Sequence, residues 1–124
     1  INLTQYVVSG TNDRILEYGP GHYLSTGTPG KGRNVGIAGH RTTYGAPFRD
    51  LDDVNLGDAI QLTIDSSKFH YIVDQIDIVE AIGGEYVLYD RGDDRLTLTT
   101  CHPKYSASQR LIVSAILVKI ESVN

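Results

Sequence analysis

The amino-acid sequence predicts an all-β domain, and three observations carry that prediction. Five segments, 35–40, 59–64, 69–79, 96–101 and 110–120, are rich in Val, Ile, Leu, Thr and aromatic residues, the side chains that fit a pleated, half-buried surface. The connections between them carry turn chemistry: Gly19 to Gly32 holds two prolines and five glycines, and Asn55-Leu56-Gly57-Asp58 and Asp90-Arg91-Gly92-Asp93-Asp94 read as tight turns. Many short strands at this spacing build a barrel or a sandwich. Finally, 124 residues make one domain, which at this size buries roughly two-thirds of its unfolded surface and needs no disulfide or metal staple.

Taken in chain order, Ser9 to Tyr18 can hold a short helix, and the first strand, 35–40 (Val-Gly-Ile-Ala-Gly-His), runs out into the polar stretch Arg41-Thr42-Thr43-Tyr44-Gly45. Pro47 to Val54 can hold a second short helix, with Pro near its start and Asp50, Asp52 and Asp53 following. Strand 59–64 comes next. In strand 69–79 the alternation is partial, because Tyr71 and Val73 fall on the face opposite to Ile72, Ile76 and Ile78 under a strict period of two. Strand 96–101 must stop at His102-Pro103, since Pro cannot continue a central ladder. Strand 110–120 closes the series. No repeat, low-complexity tract or linker divides the chain, so residues 1–124 read as a single domain.

Composition removes several functional classes. Acidic residues outnumber basic ones, 15 to 11, for a net charge of -4, the opposite of what sequence-independent phosphate binding needs. No nucleic-acid partner is expected. Cys101 is the only cysteine, which rules out an intrachain disulfide and a multi-thiolate zinc site. A metal set of Cys101, His102 and His40 lacks paired-ligand spacing, and the cluster Asp50-Asp52-Asp53 lacks the spacing of a calcium loop and reads as solvated helix-start charge. Neither metal nor cofactor is expected. No apolar run approaches the roughly 20 residues that cross a bilayer. The chain opens on Ile1 and contains no Met, so it reads as part of a longer protein whose signal or anchor would lie upstream. One unpaired thiol suits a reducing compartment, and equally a single reactive thiol at a cell surface.

The chemistry concentrates where strands end. His40 closes its strand, Cys101 closes another and Arg110 opens the last, positions at which a scaffold holds a side chain rigidly yet open to substrate. Antiparallel pairing of 96–101 with 110–120 would return Arg110 to the side of Cys101. Singly, each has an ordinary structural explanation: a buried filler thiol, a surface imidazole, a solvated guanidinium. Jointly they meet a physical requirement, because a thiol needs a base or cation to become a nucleophile at neutral pH and a developing oxyanion needs a donor. His102 adjoins Cys101, but successive strand residues point to opposite faces, so it is not expected to reach the sulfur.

The segment Thr97-Leu98-Thr99-Thr100-Cys101 resembles the TLxTC signature of sortases, the membrane-anchored cysteine transpeptidases of Gram-positive surfaces. Arg110 follows nine positions after Cys101, and the run from Cys101 to Val113 is similar to the end of class E sortases. Asn34-Val35-Gly36-Ile37-Ala38-Gly39-His40-Arg41-Thr42-Thr43-Tyr44-Gly45-Ala46-Pro47-Phe48 resembles the histidine motif of the same class, and the likeness extends to Gly19-Pro20-Gly21-His22-Tyr23 and Leu56-Gly57-Asp58. Classes D and F share much of this pattern.

The resemblance implies a closed β-barrel of about eight strands with one or two short helices. It implies that Cys101 attacks the Thr carbonyl of an LPXTG-like sorting signal to form a thioester, that His40 is the general acid and then the base, and that Arg110 bonds the substrate backbone and oxyanion. In this family His and Cys work mostly as a neutral pair, so a papain-like ion pair is not implied. Thr100, Tyr44 and Tyr105 are expected to contact the peptide, with Tyr44 associated in class E with Ala in place of Pro at the second signal position. The segment from Glu80 to Arg95 is expected to form a substrate-facing loop made mobile by Gly83-Gly84. The implied partners are signal-bearing surface proteins and an amine of a peptidoglycan precursor or, in a pilus-polymerising enzyme, a pilin lysine. The implied location is the extracellular face of the membrane, reached through a segment outside this sequence. A hydrolase in which water outcompetes the amine, and an inactive barrel that only binds signal peptides, are the competing readings.

Overall fold

The computed structural model describes residues 3–122. Its strands are β1 (Val8–Ser9), β2 (Gly21–His22), β3 (Asn34–Ala38), β4 (Ala59–Ile64), β5 (Ser67–Glu80), β6 (Arg95–His102) and β7 (Gln109–Ser122), with one α-helix, α1 (Asp13–Leu16), and 3-10 turns at Leu51–Asp53 and Glu85–Leu88. The all-β class expected from the sequence is therefore the class observed. One sheet contains all seven strands in the order β1-β2-β3-β6-β7-β5-β4. Its two margins, Val8 and Ser9 of β1 and Ala59 to Ile64 of β4, line one groove of about 960 Å³ floored by Val35, Ile37, Leu51 and Leu98. Margins that share a groove mean that the sheet curls toward a barrel, with the groove along its seam.

Alternation along the central strands decides what is inside. Val35 and Ile37 of β3, Leu96 and Leu98 of β6, and Leu111, Val113 and Ala115 of β7 face the interior, where Phe48, Leu51, Val54, Tyr71 and Val73 complete the core. The register matches these sets, pairing Val35 with Leu96, Leu96 with Ala115 and Leu98 with Val113. Each fully buried Leu or Val contributes about 1.5–3 kcal/mol. The opposite face of the same three strands carries Asn34, Gly36 and Ala38, then Arg95, Thr97, Thr99 and Cys101, then Arg110, Ile112 and Ser114.

The irregular alternation of β5 has a local cause. The β5–β7 register shifts between Val73 and Gln75, leaving Asp74 unpaired, so that Tyr71 and Val73 and then Ile76 and Ile78 oppose Leu117, Ala115, Val113 and Leu111. A bulge changes parity and brings to one face residues that a strict period separates. It also aims the Asp74 carboxylate at Arg95, which is 4% exposed and donates from Nη1 (2.7 Å) and Nη2 (2.9 Å) to the two Asp74 oxygens. Arg95 holds the carboxyl of Asp74 below the usual carboxylate range.

Two sequence expectations change in detail. The strand expected over 35–40 ends at Ala38, although Gly39 N still donates to Thr99 O at 3.1 Å. The loop expected to be mobile is tied down in its second half. Asn34 Nδ2 donates to Val87 O (3.0 Å) and Tyr89 O (3.2 Å), and Asp90 accepts from Asn34 N (2.9 Å) and Arg33 Nε (3.0 Å). Leu88 packs on Gly36, where an added Cβ would lie 2.9 Å from Leu88 and 3.0 Å from Tyr23 and Thr26.

Candidate active site

Pairing and chain position bring the three candidate residues to one rim of the sheet. Strands β3 and β6 are parallel, paired from Asn34 opposite Arg95 to Ala38 opposite Thr99, and His40 follows two residues past the end of β3, at the same rim as Cys101. Strands β6 and β7 are antiparallel, and Cys101 pairs directly with Arg110. Directly opposed residues point to the same face with Cβ atoms about 4.5–5.5 Å apart. Cys101 and Arg110 thus share the face opposite to Leu96 and Leu98, and His40 meets Cys101 in a common depression that Arg110 does not line. All three side chains are half-buried.

His40 and Cys101 share a depression of about 390 Å³ that is also lined by Thr42, Thr43, Tyr105 and Ala107. The larger groove along the barrel seam contains neither of them. The imidazole Nε2 of His40 is buried and has no hydrogen-bond partner among the described residues. The Tyr44 ring lies 5.3 Å from the imidazole at 45°. Arg110 Nη1 donates to Ala107 O (2.8 Å) and Gln109 O (3.0 Å), which orients the guanidinium and keeps the rest of its fork available.

Local packing explains the backbone at this rim. Gly39 lies under the Phe48 ring, to which an added Cβ would come within 2.6 Å; Phe48 N in turn donates to His40 O at 3.1 Å. The polar loop after β3 is thereby folded back over the strand end, and its apolar residue Phe48 enters the core. Tyr44 (φ 50°) and Tyr105 (φ 67°) both take left-handed backbone conformations, uncommon for large side chains. They are 58% and 78% exposed beside the depression, and the Tyr105 hydroxyl accepts from Arg49 Nη2 at 3.3 Å.

One expected substrate contact needs correction. Thr100 is 3% exposed and points to the face opposite Cys101, where its hydroxyl donates to Gly39 O at 2.7 Å. It ties the β3 and β6 ends together and cannot present that hydroxyl to a peptide on the other face. His102 lies on that same inner side, its Nδ1 3.5 Å from Arg41 Nη1, as alternation required.

Sequence patterning does not single out Arg41. Its guanidinium is 2% exposed and donates to Cys101 O at 2.8 Å. The available signal was its place one residue after His40, which turns a charged side chain inward and obliges it to find partners. Among the described residues no group of three or more His, Cys, Asp or Glu is arranged to hold a metal, and no helix is long and apolar enough to cross a membrane.

Fold and site together define a curled β-sheet protein with a cysteine, a histidine and an arginine at its rim. The sortase domain family matches residues 1–118. Sortase D of Bacillus subtilis is 30% identical over 103 residues, covering 83% of this chain and 50% of that protein. Sortase SrtE1 of Streptomyces coelicolor is 34% identical over 117 residues, covering 83% and 33%. Among solved structures, sortase E from Streptomyces avermitilis is 36% identical with a TM-score of 0.86, covering 96% of this chain and 81% of that one. Sortase E1 from S. coelicolor, with a tripeptide in its active site, is 29% identical with a TM-score of 0.87, covering 94% and 81%. The chain belongs to the sortase family, and the class E likeness of its motifs is matched by these Streptomyces relatives. It spans half the length or less of the two curated relatives.

Proposed function

We propose that this chain is the catalytic domain of a cysteine transpeptidase that cleaves an LPXTG- or LAXTG-type sorting signal between Thr and Gly. The observations that support the reading are the pairing of Cys101 with Arg110 and the depression that Cys101 shares with His40. The bound tripeptide of the S. coelicolor neighbour supports a peptide substrate.

In this reading the thiol proton passes to His40, the Cys101 thiolate attacks the Thr carbonyl carbon, and the oxyanion that forms is met by the Arg110 guanidinium. The C–N bond to Gly breaks as His40 in its protonated form delivers a proton to the departing amine, leaving a thioester on Cys101. An incoming amine of a peptidoglycan precursor then attacks that thioester, His40 takes its proton, and the C–S bond breaks to give a new amide and the Cys101 thiolate beside protonated His40, the pair that began the cycle. Tyr105 lines the acyl-binding depression and Tyr44 lies beside His40; in this reading Tyr44 favours Ala over Pro at the second signal position. The domain works at the extracellular face of the membrane, anchored through a segment outside this sequence.

The test presents peptides that differ only at the second signal position to wild type and to Cys101→Ala. Wild type should cleave, with Ala preferred to Pro, and Cys101→Ala should be inactive. Cleavage by Cys101→Ala overturns the nucleophile, and a Pro preference overturns the role of Tyr44.

A further inference from the structure

We infer that Arg41 is the positioning residue that sets the separation of His40 from Cys101, an inference that rests on the proposed roles of those two residues. The β3–β6 ladder ends with Gly39 N donating to Thr99 O, so at the level of the reacting groups no main-chain bond holds the strands together. The Thr100 hydroxyl on Gly39 O (2.7 Å) ties the strand ends one level below, and Arg41 takes over that task at the level of His40 and Cys101. Its backbone is joined by one peptide bond to His40, and its Nη1 donates to the carbonyl of Cys101 itself at 2.8 Å.

The rest of the guanidinium is fixed from one further segment, Arg49 to Asp52. Nε donates to Arg49 O at 2.9 Å, in the loop folded back over His40. Nη2 pairs with Asp52 Oδ1 at 3.1 Å, in the 3-10 turn that inserts Leu51 into the core. Asp52 therefore has a partner and is more than solvated helix-start charge. A guanidinium suits this place because it holds several acceptors in one plane at fixed angles, whereas an ammonium is a point charge on a flexible stem. Burying it is costly. For bare stability an apolar side chain would serve as well, so the use of a cation here is explained by the geometry it imposes on Cys101 and His40. Fixing reacting groups to within about 1 Å is worth about a hundredfold in rate.

The test compares Arg41→Met and Arg41→Lys with wild type. Readouts are kcat per titratable thiol, KM, the alkylation rate of Cys101 by iodoacetamide at pH 7, and Tm. For Arg41→Met, kcat per thiol should fall about 30- to 100-fold with KM within about threefold. Arg41→Lys should recover part of the loss. Alkylation should slow by about threefold or more as His40 and the thiol part company. A lower Tm with kcat per thiol and alkylation unchanged overturns the inference, because that is what a merely structural role predicts. Should Arg41→Met not fold, Asp52→Asn keeps the guanidinium and loosens its anchor; kcat per thiol should then fall about threefold at constant KM, and no change overturns the inference. Alkylation is independent of turnover. Slower alkylation in the variants, alongside a wild type that cleaves no signal peptide, sinks the substrate reading and sustains the positioning role. Peptide cleavage with unchanged kcat per thiol does the reverse.

Discussion

At the scale of the residue, the proposed chemistry asks each side chain for a specific geometry as well as a charge. Arg110 shows this most simply. It faces Cys101 across the β6–β7 pair, and one of its terminal nitrogens is held by Ala107 O and Gln109 O, so the remaining donors point from a fixed plane. Arg110→Lys keeps the charge and loses that plane. Its kcat/KM for signal-peptide cleavage should fall about 100-fold or more, with a far-UV spectrum and Tm close to wild type. An activity within about threefold of wild type would remove Arg110 from the reaction. Tyr71 is a contrasting case: its buried hydroxyl has no partner among the described residues, and burial pushes its pKa up to about 12, so it stays neutral and serves packing alone.

At the scale of the element, two contacts place the strands that carry the site. The first is the seat of the 85–90 segment on β3, where Leu88, Tyr23 and Thr26 close over Gly36. Gly36→Ala should destabilise by about 1–3 kcal/mol through overpacking, read as a lower urea midpoint at unchanged m-value. A neutral or stabilising effect would show that this segment is loosely seated. The second is the bulge at Asp74. Asp74→Asn weakens the hold on a buried Arg95 that Asp93 also pairs, and should cost about 1–3 kcal/mol, nearer the lower figure because Asp74 is part-exposed.

These elements also mark what was legible in the sequence. β4 lies where its composition placed it, and the stops of β6 at His102-Pro103 and of β3 near His40 follow from Pro and from the polar loop. Two-residue strands such as β1 and β2 have too few residues to show a period. The parity switch in β5 was hidden because a bulge inserts a residue without a compositional mark. Cys101 and Arg110 were legible as strand ends, but their alignment depended on a register that only long-range pairing sets, and His40 lies two residues past the end of β3. Thr100 was legible from the alternation that turns His102 away from Cys101, whereas the inward side chain of Arg41, past the end of β3, depends on the packing of Phe48 and the loop behind it.

At the scale of the whole molecule, pH should act through carboxylates that the fold holds ionised. Arg95 lowers the pKa of Asp74, and Asn34 N with Arg33 lowers that of Asp90. A carboxyl depressed in the folded state adds stability that is complete above its unfolded pKa and lost as pH falls through the folded one. The urea midpoint should therefore be level from neutral pH down to about 5 and decline below about 4, and Asp74→Asn should flatten part of that decline. A midpoint that rises on acidification would contradict this electrostatic account.

The central claim concerns one covalent bond. Wild type mixed with a signal peptide and followed by intact-protein mass spectrometry should gain the mass of the fragment ending in Thr, on Cys101, and should lose it when a diaminopimelate or oligoglycine amine is added. His40→Ala should accumulate little adduct and Cys101→Ala none. Peptide cleavage with no adduct at any time, or an adduct on Cys101→Ala, would contradict the assignment of the rim thiol as the acyl carrier.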